Sequence, residues 1–196
     1  MPPVRAVAIW SAFAAIVAVP MIVAAQSPLL AWRQPVYIAA GFAGVLAMVL
    51  LLVQPLLIGR FLPGVDGRRA RLWHRLAGFG LVGAVVAHVA MLWMTSPPDV
   101  VDALLLVSPT PFSDWGVIAM WAVFAAALFA VLRRRMRPAF WRSGHVSAVL
   151  IAAGCSVVHA MLVEGTMGLV SKTALCLAVV AAVARVGAAR LGRIGR

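Results

Sequence analysis

The four histidines of this chain form two pairs with the same spacing. His74 and His88 are fourteen residues apart in one apolar stretch, and His145 and His159 are fourteen apart in another. On an α-helix, fourteen residues turn through about 1400°, close to four full circles, and rise about 21 Å. Both imidazoles of a pair therefore lie on one helix face, near opposite ends. Two such helices could bind a flat metal cofactor between facing histidines at each of two heights along the helices, here called levels. Haem is the candidate cofactor.

The histidines could also have a role that does not involve haem. They could be ordinary polar residues bonded to carbonyls within a helical bundle, but two equal pairs with no further histidine favour a cofactor. Zinc requires ligands that converge on one ion, and residues about 21 Å apart on a helix cannot do so. An iron with imidazole at both axial positions carries electrons rather than binding substrate.

Composition indicates an integral membrane protein. Of the 196 residues, 64% are hydrophobic and 11% are charged, and the mean hydropathy is +1.04. The net charge of +12 could suggest nucleic-acid binding. The arginines instead lie between long apolar runs, where they set membrane orientation, so we expect no nucleic-acid partner.

Six apolar runs are long enough to cross a bilayer core of about 30 Å. We predict an all-α fold, a polytopic bundle of six transmembrane helices forming one domain over residues 1–196. The first run resembles a signal peptide, but its apolar core is long and we expect it to be retained. The proline-rich segment Ser96–Asp114 is predicted to form a short interfacial or re-entrant element. The predicted spans are residues 7–25, 36–58, 73–94, 115–132, 146–163 and 169–186.

Arginines cluster in alternate connections, and the positive-inside rule places these in the cytoplasm together with both termini. The opposite connections carry most of the acidic residues, with Arg33 and Lys172 as their basic residues. The arginines used are Arg60, Arg68, Arg69, Arg71, Arg133, Arg134, Arg135, Arg137, Arg142, Arg190, Arg193 and Arg196.

This orientation puts His74 and His145 near the cytoplasmic surface and His88 and His159 nearer the outside. Arg75 then lies where the propionates of an inner haem would emerge, and it is a candidate to pair with them. Membrane orientation alone also explains an arginine at this place.

The segments His74–Gly78 and Trp141–His145, followed by His88 and His159, resemble the transmembrane domain of the ferric reductase family. The likeness is greater to short bacterial members, such as the haem-binding membrane subunit of the periplasmic methionine sulfoxide reductase system. It covers the six-helix body. It implies that the four histidines ligate two b-type haems in a bacterial inner membrane. Electrons would pass from a cytoplasmic reduced flavin to an acceptor on the other side.

Larger family members continue into a flavin- and nicotinamide-binding domain, whereas this sequence has no glycine-rich phosphate loop. We therefore expect a separate cytoplasmic flavin reductase that docks on the basic loops. The acceptor would be a periplasmic redox partner or a small oxidant, and the chain would be the electron-transfer membrane subunit of an oxidoreductase.

A quinol-linked membrane cytochrome b shares the haems and differs in its donor, so FMN and quinone both stay open at the cytoplasmic face. A transporter is disfavoured because the acidic residues lie in loops or at helix ends. A thiol–quinone oxidoreductase is disfavoured because Cys155 and Cys176 are separated and lie within apolar runs.

Overall fold

The computed structural model describes residues 3–165 and 167–194, with side chains as far as residue 188. Over these residues the chain is helical with no strand, which confirms the all-α prediction. Arg196 and the side chains of Arg190 and Arg193 lie outside the described part. The α-helices are α1 (Pro3–Ala25), α2 (Pro35–Ile58), α3 (Gly67–Thr95), α4 (Pro97–Leu104), α5 (Pro111–Leu132), α6 (Pro138–Leu162) and α7 (Leu169–Ile194).

Six of these helices, all except α4, are long and apolar enough to cross a membrane. The chain is therefore a multi-pass membrane protein, and the predicted six-helix bundle is confirmed. Helix α4 has eight residues, which is too short to span. It lies within the proline-rich segment for which a short element was predicted.

Helices α3 and α6 begin several residues before the apolar runs from which they were predicted. Asp66 caps α3 by accepting hydrogen bonds from the backbone N–H groups of Arg68, at 3.0 Å, and Arg69, at 2.8 Å. Pro138 starts α6 with a backbone angle already suited to a helix. His74 and His145 consequently each lie seven residues inside a helix rather than in its first turn.

The cap on α3 depends on an ionised carboxylate. The pKa of Asp66 is held below its usual value, chiefly by the backbone N–H of Arg69 and further by that of Arg68. A lowered pKa in the folded state means that the cap stabilises the helix above the ordinary carboxyl pKa. This stabilisation is lost as the pH falls through the lowered value.

The bundle contains two helix pairs. Helix α2 packs along α3, and α5 packs along α6, while α7 lies against α2, α6 and α1. Leu175 and Val179 of α7 are fully buried in the core cluster, together with Leu52 of α2 and Ala152 of α6. Each histidine-bearing helix therefore has one histidine-free partner along its length.

Lys172, in the first turn of α7, is buried against the end of α6. Its ammonium group donates hydrogen bonds to the carbonyl oxygens of Met161, at 3.1 Å, and Val163, at 2.9 Å. The last carbonyls of a helix have no partner within the helix, and a cation there also interacts favourably with the helix dipole. Lys172 therefore fixes the end of the helix that carries His159.

Replacing this lysine by methionine should destabilise the bundle. Lys172→Met leaves the carbonyls of Met161 and Val163 without this donor, and we expect the free energy of unfolding to fall by about 1–3 kcal/mol. Thermal unfolding in detergent, followed by circular dichroism, measures the change. The adjacent Thr173→Val is the control, because Thr173 makes only a 4.0 Å contact with the sulfur of Met161. Equal stability of Lys172→Met and wild type would contradict the role assigned to the lysine.

Candidate functional site

The structure brings two of the four predicted site residues to one cavity. His88 on α3 and His159 on α6 both line a space of about 370 Å³ between α2, α3, α5 and α6, with α4 contributing part of its lining. This volume falls within the range of about 300–1,000 Å³ that small-molecule and cofactor sites occupy. The cavity provides a site for a ligand held between helices of the two pairs.

Both histidines of the cavity are held by the same kind of hydrogen bond. Nδ1 of His88 donates to the carbonyl oxygen of Ala40 on α2, at 2.7 Å, and Nδ1 of His159 donates to that of Phe112 on α5, also at 2.7 Å. Because a carbonyl oxygen only accepts, the proton of each neutral ring lies on Nδ1. Nε2 then carries the lone pair that a metal binds, which is the usual arrangement of a ligating histidine.

Two glycines give these rings access to the neighbouring backbone. Gly44 follows Ala40 by one turn, and a Cβ at this position would lie 3.2 Å from the ring of His88. Gly116 follows Phe112 by one turn, and a Cβ there would lie 2.7 Å from the ring of His159. A Cβ at Gly116 would require the His159 ring to move, whereas one at Gly44 would require only a small shift of the His88 ring.

The other two predicted histidines are also held from the neighbouring helix. Nδ1 of His145 donates to the carbonyl oxygen of Ala126 on α5, at 2.9 Å. The indole of Trp141 stacks on the His145 ring, with centroids 6.0 Å apart and planes at 19°. The side-chain NH₂ of Gln54 on α2 donates to Nδ1 of His74, at 2.5 Å, and its Oε1 accepts from the backbone N–H of Gly78, at 2.7 Å. Both imidazoles are half-buried.

The hydrogen-bond partners reveal a repeated two-helix unit. The sequence offset from Ala40 to Phe112 equals that from Gly44 to Gly116, and nearly the same offset relates the histidines of α3 to those of α6. The pair α2–α3 and the pair α5–α6 therefore hold His88 and His159 through equivalent contacts, whereas His145 contacts a backbone carbonyl and His74 contacts the side chain of Gln54. Each pair supplies one imidazole per level.

The donor set is suited to a cofactor that brings ligands of its own. Within residues 3–165 and 167–194, no three histidine, cysteine or acidic side chains converge to hold a bare metal ion. Haem fits, because its porphyrin supplies four nitrogens and leaves two axial positions for imidazoles. Trp141 adds a buried indole N–H without a partner in the described residues, beside His145. This donor is available to a polar group of the ligand.

Arg75, the predicted partner of the propionates, lies exposed on α3 directly after His74. The described part of the chain contains one ion pair, between Arg69 and Asp66 at 3.8 Å. Arg75 is therefore not neutralised by a carboxylate of this part. The positive charge at this end of the bundle is largely uncompensated.

Three residues that shape the site were not predicted from the sequence: Gly44, Gly116 and Gln54. Gln54 had a readable signal, since it is a single amide within a long apolar run, and polar residues inside spans are functional candidates. The glycines had a weaker signal, because their separation nearly matches that of the two histidine pairs. This match indicates that the glycines lie opposite histidines only once it is known that α2 packs on α3 and α5 on α6.

Paired histidines on two helices of an apolar bundle are the arrangement of a membrane electron carrier. The chain matches the family described as "Ferric reductase like transmembrane component" over residues 40–155, more than half of its length, and it belongs to this family. The match includes His74, His88 and His145, and it ends four residues before His159. Domains of this family generally bind haem. Comparisons with curated proteins and with solved structures give no significant match.

The glycine beside His159 provides a test of the cavity. Gly116→Ala should displace the His159 ring, because the new Cβ would approach it to 2.7 Å. We expect the haem-to-protein ratio to fall clearly, and Gly44→Ala, with a 3.2 Å contact, to cause a smaller loss. Absorbance spectra of purified variants measure this ratio. Gly41→Ala, with no atom within 4 Å of its Cβ, is the control on the same helix as Gly44. Full haem content in Gly116→Ala would exclude the cavity as the binding site.

Proposed function

We propose that this protein transfers electrons across the bacterial inner membrane through two b-type haems, each held by one histidine from α3 and one from α6. His88 and His159 hold the outer haem, and His74 and His145 hold the inner one. The cofactor supplies reversible one-electron chemistry at iron, and the protein supplies the axial ligands, their spacing and an apolar sheath. The observation that carries the proposal is the cavity shared by His88 and His159, both oriented through Nδ1.

The inner level rests on the equivalence of the two histidine pairs. Each inner histidine precedes its outer partner by fourteen residues on the same helix, so the ligands of the two levels differ in height by about 21 Å. The inner level is also the basic end of the bundle. There, Arg75 and the indole N–H of Trp141 are available to pair with propionates, which are anions that need donors at a membrane surface.

The donor is proposed to be a reduced flavin delivered by a separate cytoplasmic reductase. The arginines in and beside the α2–α3 and α5–α6 connections form a predominantly basic surface, which favours the approach of an acidic partner or an anionic flavin phosphate. The opposite mouth carries Asp99 and Asp102 of α4 beside Ser108 and Thr110 at the edge of the cavity. A soluble reductase partner or a small oxidant would collect electrons at this mouth.

Haem counting tests the proposed ligands. We expect about two b-haems per chain by pyridine haemochrome. Substituting any one of His74, His88, His145 and His159 by alanine should remove about one haem and leave a low-spin spectrum from the other. Cys155→Ala and Cys176→Ala are controls, because both thiols are buried outside the lining of the cavity. A folded, monodisperse wild type without haem would refute the proposal.

Membrane vesicles of opposite orientation test the donor and its side together. Reduced FMN does not cross the bilayer, so it should reduce the haems rapidly in inverted vesicles, which expose the arginine-rich face, and slowly in right-side-out vesicles. A quinol partitions into the bilayer and should show no such preference. Stopped-flow absorbance follows the reduction. Faster reduction by FMN in right-side-out vesicles would reverse the orientation, and reduction by quinol alone would favour a quinol-linked cytochrome.

A further inference from the structure

A second cavity lies where α2 connects to α3, apart from the cavity of His88 and His159. Its volume is about 120 Å³, well below the range of about 300–1,000 Å³ that sites for whole small molecules and cofactors occupy. It can therefore hold one functional group of a larger molecule rather than the whole of it. Its lining combines apolar and basic residues, namely Leu57, Ile58, Arg60, Gly67, Ala70 and Arg71.

Two guanidinium groups meet at Gly67 in this cavity. A Cβ on Gly67 would lie 2.6 Å from Nη2 of Arg60 and 3.6 Å from Nη1 of Arg71. Both groups are thus close to one point beside the α3 backbone, where two positive charges repel each other. A guanidinium is a planar fork of donors that matches the oxygens of a phosphate or a carboxylate. An anion bound at this point would relieve the repulsion and accept hydrogen bonds from both arginines.

The described part of the chain does not pair these two arginines with a carboxylate. Neither forms an ion pair within it, and the nearby Asp66 pairs with Arg69, at 3.8 Å. The backbone N–H of Arg69 is the largest cause of the lowered pKa of Asp66, and the charge of Arg71 is one of the smaller causes. Between residues 59 and 72, four arginines accompany this one acidic residue. The excess positive charge favours an anion from outside the chain.

The backbone at Arg60 is unusual for an arginine. Its φ of 56° lies in the left-handed region, where a side chain is unfavourable and glycine is preferred. The N–H of Arg60 donates to the carbonyl oxygen of Leu57, at 3.2 Å, a helix ending in which glycine usually takes this position. Here the position is filled by a residue whose guanidinium lies against Gly67. Residues held in unfavourable conformations concentrate at functional sites, and this one supports a role for the Arg60 side chain.

We propose that Arg60 and Arg71 bind a phosphate group at the arginine-rich membrane surface. The apolar part of the lining includes the end of α2, a membrane-spanning helix, and phospholipid headgroups lie at the ends of such helices. Two sources present a phosphate here: the headgroup of an anionic phospholipid, and FMN from the proposed donor. The site lies outside the histidine cavity and requires no haem.

Lipid binding to the purified, delipidated protein tests the site. We expect native mass spectrometry to detect one tightly bound dioleoyl-phosphatidylglycerol per chain, and this lipid to raise the temperature of unfolding in detergent. Arg60→Gln and Arg71→Gln should each weaken the binding about tenfold or more, because each removes charge-assisted hydrogen bonds. Arg68→Gln is the matched control, since it removes the same charge beside the same connection from a residue outside the lining. It should weaken binding less than about threefold.

Gly67→Ala tests the geometry without changing any charge. Its methyl group would occupy the point where the two guanidinium groups meet. Alanine is the better helix former, so without lipid the variant should unfold at the same temperature as wild type or higher. It should nevertheless bind phosphatidylglycerol less tightly. This combination separates loss of the phosphate site from loss of folding.

FMN and riboflavin, which lacks the phosphate, identify the source. Binding of FMN that displaces the lipid, with no such effect of riboflavin, would support the site with flavin as its ligand. Retention of the lipid in the presence of both would support a lipid site. Equal affinities in Arg60→Gln, Arg71→Gln and Arg68→Gln, or binding of neither phosphate ligand to wild type, would overturn the proposal. None of these readouts involves haem, so such a result would leave the proposed electron transfer standing.

Discussion

Three of the four histidines donate a hydrogen bond to a backbone carbonyl of the neighbouring helix, and the pairing of the helices depends on these bonds. In lipid, backbone groups must be satisfied inside the helix, yet each carbonyl oxygen keeps a second lone pair after accepting its own helical N–H. His88, His145 and His159 use this lone pair. The bond fixes the ring, selects the tautomer and ties α3 to α2 and α6 to α5. One interaction thereby both assembles the helix pairs and prepares the site.

This interaction determines which residues can stand opposite the histidines. A Cβ at Gly116 would come within 2.7 Å of the His159 ring and one at Gly44 within 3.2 Å of the His88 ring, which favours glycine one turn after the carbonyls that these two histidines contact. Small residues in membrane helices usually indicate close helix packing. At these two positions the glycines accommodate an imidazole instead, so their role is chemical as well as structural.

The sequence was sufficient for the features that a single helix determines. Six apolar runs and the fourteen-residue spacing of the histidines depend only on helix periodicity and bilayer thickness, and the structure places both members of each pair on one helix. Helices α3 and α6 extend beyond the predicted apolar spans at their starts, because Asp66 and Pro138 begin the helices within polar, arginine-rich sequence. The roles of Gly44, Gly116 and Gln54 depend on which helices are neighbours. The spacing of residues along the sequence does not indicate which helices are neighbours.

The two helix pairs differ at Gln54, which stands 72 residues before Ala126 as Gly44 stands 72 before Gly116. Burying the polar side chain of Gln54 is energetically costly. At position 126 an alanine is sufficient, because the backbone carbonyl orients His145 without any buried side-chain polarity. At position 54 the chain buries an amide, whose transfer from water is unfavourable unless all of its groups are bonded. The carboxamide of Gln54 bonds to both ends of the turn of α3 from His74 to Gly78, so its burial is compensated and it ties α2 to α3 where the other histidines use a backbone carbonyl.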